Sequence, residues 1–183
     1  MMIITPIDLI IALSKRLEAV VKDYRFPESD GKHKWRVPRV WTQYLPEKKF
    51  DNEVDLADPP FVLVALGGGV VSEGGHGTCP IGILIAGYDG GIIVEEEGLE
   101  SRSRQGWMIP AEMTWRIINA LAKQPTMGPF KLQYPITWEL PEQESPSEHW
   151  FGLINTTWEV PVTEPNYNLR NMKFEPLTRD ERM

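Results

Sequence analysis

The chain is poor in the residues that usually build covalent or metal chemistry. Cysteine occurs once, at Cys79, and histidine three times, at His33, His76 and His149. A single cysteine excludes an intramolecular disulfide, and with it a stapled secreted scaffold. Structural zinc asks for four ligands from Cys, His or carboxylate. His76 and Cys79 have the spacing of half such a site, but the other two histidines lie in separate polar stretches. Positive charge is short as well: 19 Lys and Arg against 26 Asp and Glu give a net charge of −7. That balance works against gripping nucleic acid, which needs clustered cations; it does not stop nucleic acid from passing nearby unheld. No apolar stretch is long and clean enough for a membrane span. The first 21 residues come closest, and Asp8, Lys15, Arg16 and Glu18 interrupt them. With no small-residue cleavage site after a basic start, this segment reads as a helix of the mature protein. A cytoplasmic location is the default expectation.

What is present points to one compact domain with a real core, since 183 residues suffice for that and strain to make two. Seven Trp and 16 Pro suggest short strands, defined turns and large aromatic anchors. The segment 80–123 organises the rest. Ile81 to Tyr88 is strand-length, β-branched and apolar at alternate positions of both kinds, as in a central strand covered on both sides. The stretch 107–123 has helical period: Glu112, Arg116, Asn119 and Lys123 form one polar stripe. Met113, Ile117, Ala120 and Leu121 oppose it, flanked by Ala111, Trp115 and Ile118. Pro110 suits a first turn, where its missing N–H costs nothing.

Before that segment, Thr5-Pro6-Ile7-Asp8 reads as a helix start with a capping-box carboxylate. Ile7, Ile10, Leu13, Leu17, Val20 and Val21 mark one face, and the helix should end near Tyr24. Residues 35–44 read as a strand that Pro38 breaks or confines to an edge. Residues 45–60 read as loop, and Phe61 to Leu66 as a second central strand. Gly67, Gly68 and Gly69 then free the backbone. Val70 and Val71 either extend the strand past a bulge or belong to a mobile excursion. The stretch 90–106 reads as a long exposed loop or a flexible hairpin, a length that usually has a job or is disordered.

After the second helix, Leu132, Tyr134, Ile136, Trp138 and Leu140 alternate with polar positions, giving a strand with one wet face. Residues 150–160 alternate likewise, with Trp150, Ile154, Trp158 and Val160 on one side, and pair with the preceding strand as a hairpin. The expectation is an α+β fold: a single mostly antiparallel or mixed β-sheet with two α-helices packed on one face. It occupies residues 1–160, followed by a polar extended tail over 161–183.

Candidate chemistry is thin. Cys79 could act as a nucleophile with His76 or His149 as base, yet its place before Pro80 and an apolar strand suits a small structural residue better. The glycines at 67–69 lack the Lys and the following helix of a phosphate loop, so permissive backbone explains them better. Glu95, Glu96 and Glu97, like Glu142, Glu144 and Glu148, sit in predicted exposed loops and read as solvated surface. Trp115, Trp138 and Trp158 fall on core-facing or flanking positions and read as packing. Trp35, Trp41, Trp107 and Trp150 sit near element ends and are equally open to partial burial or to anchoring an interface.

The layout resembles the tail-terminator (tail-completion) family of long-tailed bacteriophages, the minor tail protein U-like proteins of lambda-type phages. The resemblance rests on order more than on motif. It runs through the helix Pro6–Val21, the Asp58-Pro59-Pro60-Phe61-Val62-Leu63-Val64 entry into a strand, the strand 81–89, the helix 109–122 and the closing strand 150–160. It implies a virion tail component assembled in the host cytoplasm, with no catalytic residue and no cofactor. It also implies a homo-oligomer, a hexameric ring on the last tail-tube ring that stops tube polymerisation and offers a surface to the head–tail connector protein. DNA would pass through the ring without specific binding. The long Gly-rich and Glu-rich loops and the polar tail depart from the pattern. A closed ring needs one patch meeting a different patch on its neighbour. The charged loop and the aromatic anchors supply the candidates: Trp41, Glu95, Glu96, Glu97, Arg102, Arg104 and Trp107. Another neck or head–tail joining protein is the alternative within the same class, and a small hydrolase using Cys79 is the alternative outside it.

Overall fold

The computed structural model describes residues 5–27, 35–46, 59–72, 76–89, 92–96, 99–103, 106–141 and 149–161. Helix α1 (Pro6–Val21) opens with the capping box that its sequence announces. The Thr5 backbone N–H donates to the Asp8 carboxylate at 2.8 Å, and the Asp8 N–H donates back to the Thr5 hydroxyl at 3.4 Å. The buried face of α1 is Leu9, Ile10, Leu13, Ser14, Leu17 and Val21. Ile7, expected on that face, is 63% exposed, and Leu9 takes its place in the core. The reason is helical phase: at roughly 100° per residue, Ile7 falls well off the direction shared by Leu13 and Leu17.

The main sheet has seven strands in the order β3 (Arg39–Thr42), β4 (Phe61–Leu66), β6 (His76–Tyr88), β11 (His149–Pro161), β10 (Phe130–Glu139) and β9 (Thr126–Met127), with β5 (Val70–Ser72) paired beside β6. Every pairing in it is antiparallel except β3 on β4. Two short strands, β1 (Phe26–Pro27) and β2 (Trp35–Arg36), form a separate ribbon; β7 (Ile92–Glu96) and β8 (Leu99–Ser103) form another. The break expected at Pro38 is there, between β2 and β3, and β3 is an edge strand. Val70 and Val71 form a strand of their own, β5, which follows the break at 67–69 and pairs with β6.

Strand β6 is central, flanked by β4 and β11. Helices α1 and α2 (Met108–Lys123) cover one face of the sheet, and the core lies between. Val64, Ile83 and Ile154 stand in one row across three strands, all fully buried. The other face of β6 is less covered than its apolar sequence suggests. Leu84, in a row with Leu63 and Leu153, is half-buried, because both helices sit on the opposite side.

Helix α2 keeps its predicted polar stripe exposed and buries Pro110, Met113, Thr114, Ile117 and Leu121. Arg16 of α1 fastens its C-terminal end: the guanidinium donates to the carbonyl oxygens of Gln124, at 2.6 Å, and Ala120. A cation placed on the last carbonyls of a helix satisfies acceptors that have no partner within the helix. Tyr24 makes a second link, its hydroxyl 2.6 Å from a Glu112 carboxylate oxygen and its ring 4.5 Å below the Arg116 guanidinium.

Candidate protein-interaction surface

The surface feature that stands out is built where the helical layer ends. Helix α2 packs on β11 and β6 and meets β10 only in part. Strand β10 therefore buries Phe130 and Leu132 and leaves its second half open. Between Gln133 and Thr137 its register on β11 slips by two positions, so Tyr134, Pro135 and Ile136 oppose Thr156 alone. A slip of two keeps the alternation of faces. Trp138 thus stays on the helix-bearing face, in register with the fully buried Ile154.

With no third helix above it among the described residues, Trp138 is 42% exposed; Trp115, its neighbour on α2, is 51% exposed and Tyr134 63%. The two indoles pack against each other at a tilt of 56°, their centroids 5.6 Å apart. Ile118 and Ala122 continue the α2 wall, and Pro135 and Ile136 the strand wall, of an open groove of about 490 Å³. Every side chain lining it is apolar or aromatic. Trp115 and Trp138, read from sequence as packing residues, pack against each other but stay about half exposed. Trp158 alone of the three is core. It is fully buried, and its indole N–H donates to the Thr156 hydroxyl at 3.0 Å, which donates to the Ile81 carbonyl at 3.0 Å.

The opposite edge of the sheet carries a second groove. Trp41 on β3 lines it with Val37, Pro38, Arg39 and Val40, and Glu18 and Lys22 of α1 form its far wall. Trp41 is half-buried, and its indole nitrogen has no acceptor among the described residues. An unpaired buried donor costs free energy, roughly 1–3 kcal/mol.

The remaining sequence candidates fall elsewhere. Glu95, Glu96 and Arg102 lie in the β7–β8 ribbon, where Glu95 pairs with Glu100 and Arg102 with Ile93. Glu97 and Arg104 lie outside the described residues, as do His33, Glu142, Glu144, Glu148 and the segment 162–183. Trp107 is exposed at the start of α2. The five described candidates do not form one cluster: Trp41 stands at the β3 edge, Glu95, Glu96 and Arg102 in the ribbon, and Trp107 at the start of α2.

Of the chemical candidates, His76 and Cys79 share strand β6, three residues apart. Cys79 is buried, and burial pushes its thiol pKa up, away from the thiolate a nucleophile needs. It pairs with Trp158, whereas His149 pairs with Tyr88 at the other end of β6. At ~3.3 Å per residue those ends lie about 30 Å apart. Gly67 to Gly69 lead into strand β5, not into a helix, and Gly67 N–H donates to the Pro80 carbonyl at 3.0 Å. Among the described residues, no three His, Cys, Asp or Glu side chains gather to hold a metal ion.

No protein-family model matches the chain, and no curated protein matches it. Its surface therefore carries the functional argument. Sequence reasoning missed the groove because Trp115 flanks a helix and Trp138 alternates on a strand, both ordinary core signals. The available clue was number: the two helices read from the sequence leave part of a broad sheet uncovered.

Proposed function

We propose that this chain is an assembly subunit of the tail-terminator kind: it forms a ring on the end of a phage tail tube, stops tube growth and presents a surface for head attachment. The observation that carries this reading is the open aromatic groove of Trp115, Tyr134 and Trp138 beside a sheet edge. Exposed apolar surface is one of the features that protein contacts use, and aromatic residues dominate the energetics of such contacts. The order of elements supports the family reading, and so does charge. A chain at −7 offers DNA no grip, which suits a ring through which DNA must slide.

Electron microscopy of the full chain mixed with purified tail tubes tests it. A terminator adds a ring to one end of each tube and arrests elongation when tube protein is supplied. Tubes that stay bare and elongate freely would rule the role out, and binding to the connector alone would point to a neck protein.

A further inference from the structure

Among the described residues, the main sheet is open on both sides. On one side lie β3, residues 39–42, paired only with β4, and the short β5, paired only with β6. On the other lie the two-residue β9 and the outer half of β10. Strand β9 pairs with β10 only at Phe130 and Lys131, and among the described residues, positions 133–139 have no strand on their outer side. Unpaired strand edges are templates for another strand.

The helices complete the match. Arg16 and Tyr24 face α1 toward α2. At roughly 100° per residue, Ile7, Ile11, Glu18 and Lys22 fall on the flank of α1 opposite Arg16. Glu18 and Lys22 lie beside β3, so that flank borders the β3 edge. It carries two apolar side chains in the open, Ile7 at 63% and Ile11 at 46%. The groove on α2 lies on the side turned away from α1. A concave apolar groove therefore ends the helical layer over β10, and a helix flank with protruding isoleucines ends it over β3. Charge agrees: Lys22 and Arg39 outnumber Glu18 at the β3 edge, while Glu139 is the charged residue of the open β10 edge.

The geometry points to a second copy of this chain as the occupant of the groove. The β3 edge and α1 flank of one copy dock against the β10 edge and α2 groove of the next, continuing sheet and helical layer from copy to copy. Such a contact is heterologous, because it joins different patches, and it repeats into a ring or a filament. A β10-to-β10 contact would face groove to groove and leave both empty. This inference rests on the ring reading for its biological setting, but not for its geometry.

Paired cysteine variants test it. Arg39→Cys and Glu139→Cys place thiols on exposed positions at the two edges, in a chain whose native Cys79 is buried. With a short bismaleimide at high protein concentration, mixing the two variants should give roughly tenfold more cross-linked dimer than either alone, because docking raises the effective thiol concentration. Adding Tyr134→Asp to the Glu139→Cys chain should remove that excess while leaving circular dichroism unchanged. Equal yields from the mixture and the single variants, or an excess that survives Tyr134→Asp, would overturn the docking. Tube ends capped by a chain that gives no mixed cross-link would sink the edge pairing and spare the tail reading. A mixed cross-link from a chain that ignores tubes would do the reverse.

Discussion

At the residue scale, local hydrogen bonding settles what composition leaves open. The Thr5–Asp8 box was readable because both partners lie within one turn, and a capping pair needs no distant neighbour. The backbone N–H of Thr5, then its hydroxyl, hold the Asp8 carboxyl below the usual carboxylate range. A depressed carboxyl contributes stability above its unfolded pKa, ~3.9, and that contribution is lost as pH falls through the lower folded value. NMR titration should therefore place Asp8 below its unfolded value. Asp8→Asn should flatten the acid limb of the stability curve, and an unshifted Asp8 would contradict the box. Replacing the cap itself, Thr5→Ala, should lower stability by about 1 kcal/mol in urea unfolding. The Trp158–Thr156–Ile81 chain makes a sharper case. Thr156→Val keeps the shape but leaves a buried indole N–H without an acceptor, and should lower unfolding free energy by roughly 1–3 kcal/mol. A neutral result would mean that another acceptor reaches that nitrogen.

At the element scale, helix α2 depends on neighbours that its own sequence does not name. It has no side-chain cap at its N-terminus, and its C-terminal carbonyls are satisfied from α1 by Arg16. Arg16→Met should remove these bonds while keeping much of the aliphatic packing, at a cost of roughly 1.5–3 kcal/mol, the range for hydrogen bonds to charged groups. Hydrogen exchange should quicken first around Ala120 and Gln124. Gly152 on β11 sets how closely the helix approaches the sheet: a Cβ there would meet the Thr114 hydroxyl at 2.7 Å. Gly152→Ala should therefore destabilise by about 1–3 kcal/mol through overpacking. Most elements were legible because their period lies within one segment, as in the polar stripe of α2 and the alternation of β11. The strand β10 shows the limit. Its Tyr134, Ile136 and Trp138 alternate as a buried face would, but burial depends on whether a helix happens to lie above them.

At the scale of the whole molecule, the α+β architecture follows from the pattern of elements, while its edges do not. That β3 runs parallel to β4, and that β10 outlasts β9, are products of topology, and no window of sequence reports them. The sequence located interface candidates in charged and aromatic segments. It missed Trp115, Tyr134 and Trp138, whose exposure exists only once two helices have been laid over a seven-stranded sheet. The central claim is that this groove is a protein contact, and the most direct measurement is hydroxyl-radical footprinting of the chain, free and mixed with tail tubes. The account predicts that Trp115, Tyr134 and Trp138 react readily in the free chain and become protected together on assembly. Unchanged reactivity at all three in a chain that has assembled would contradict it.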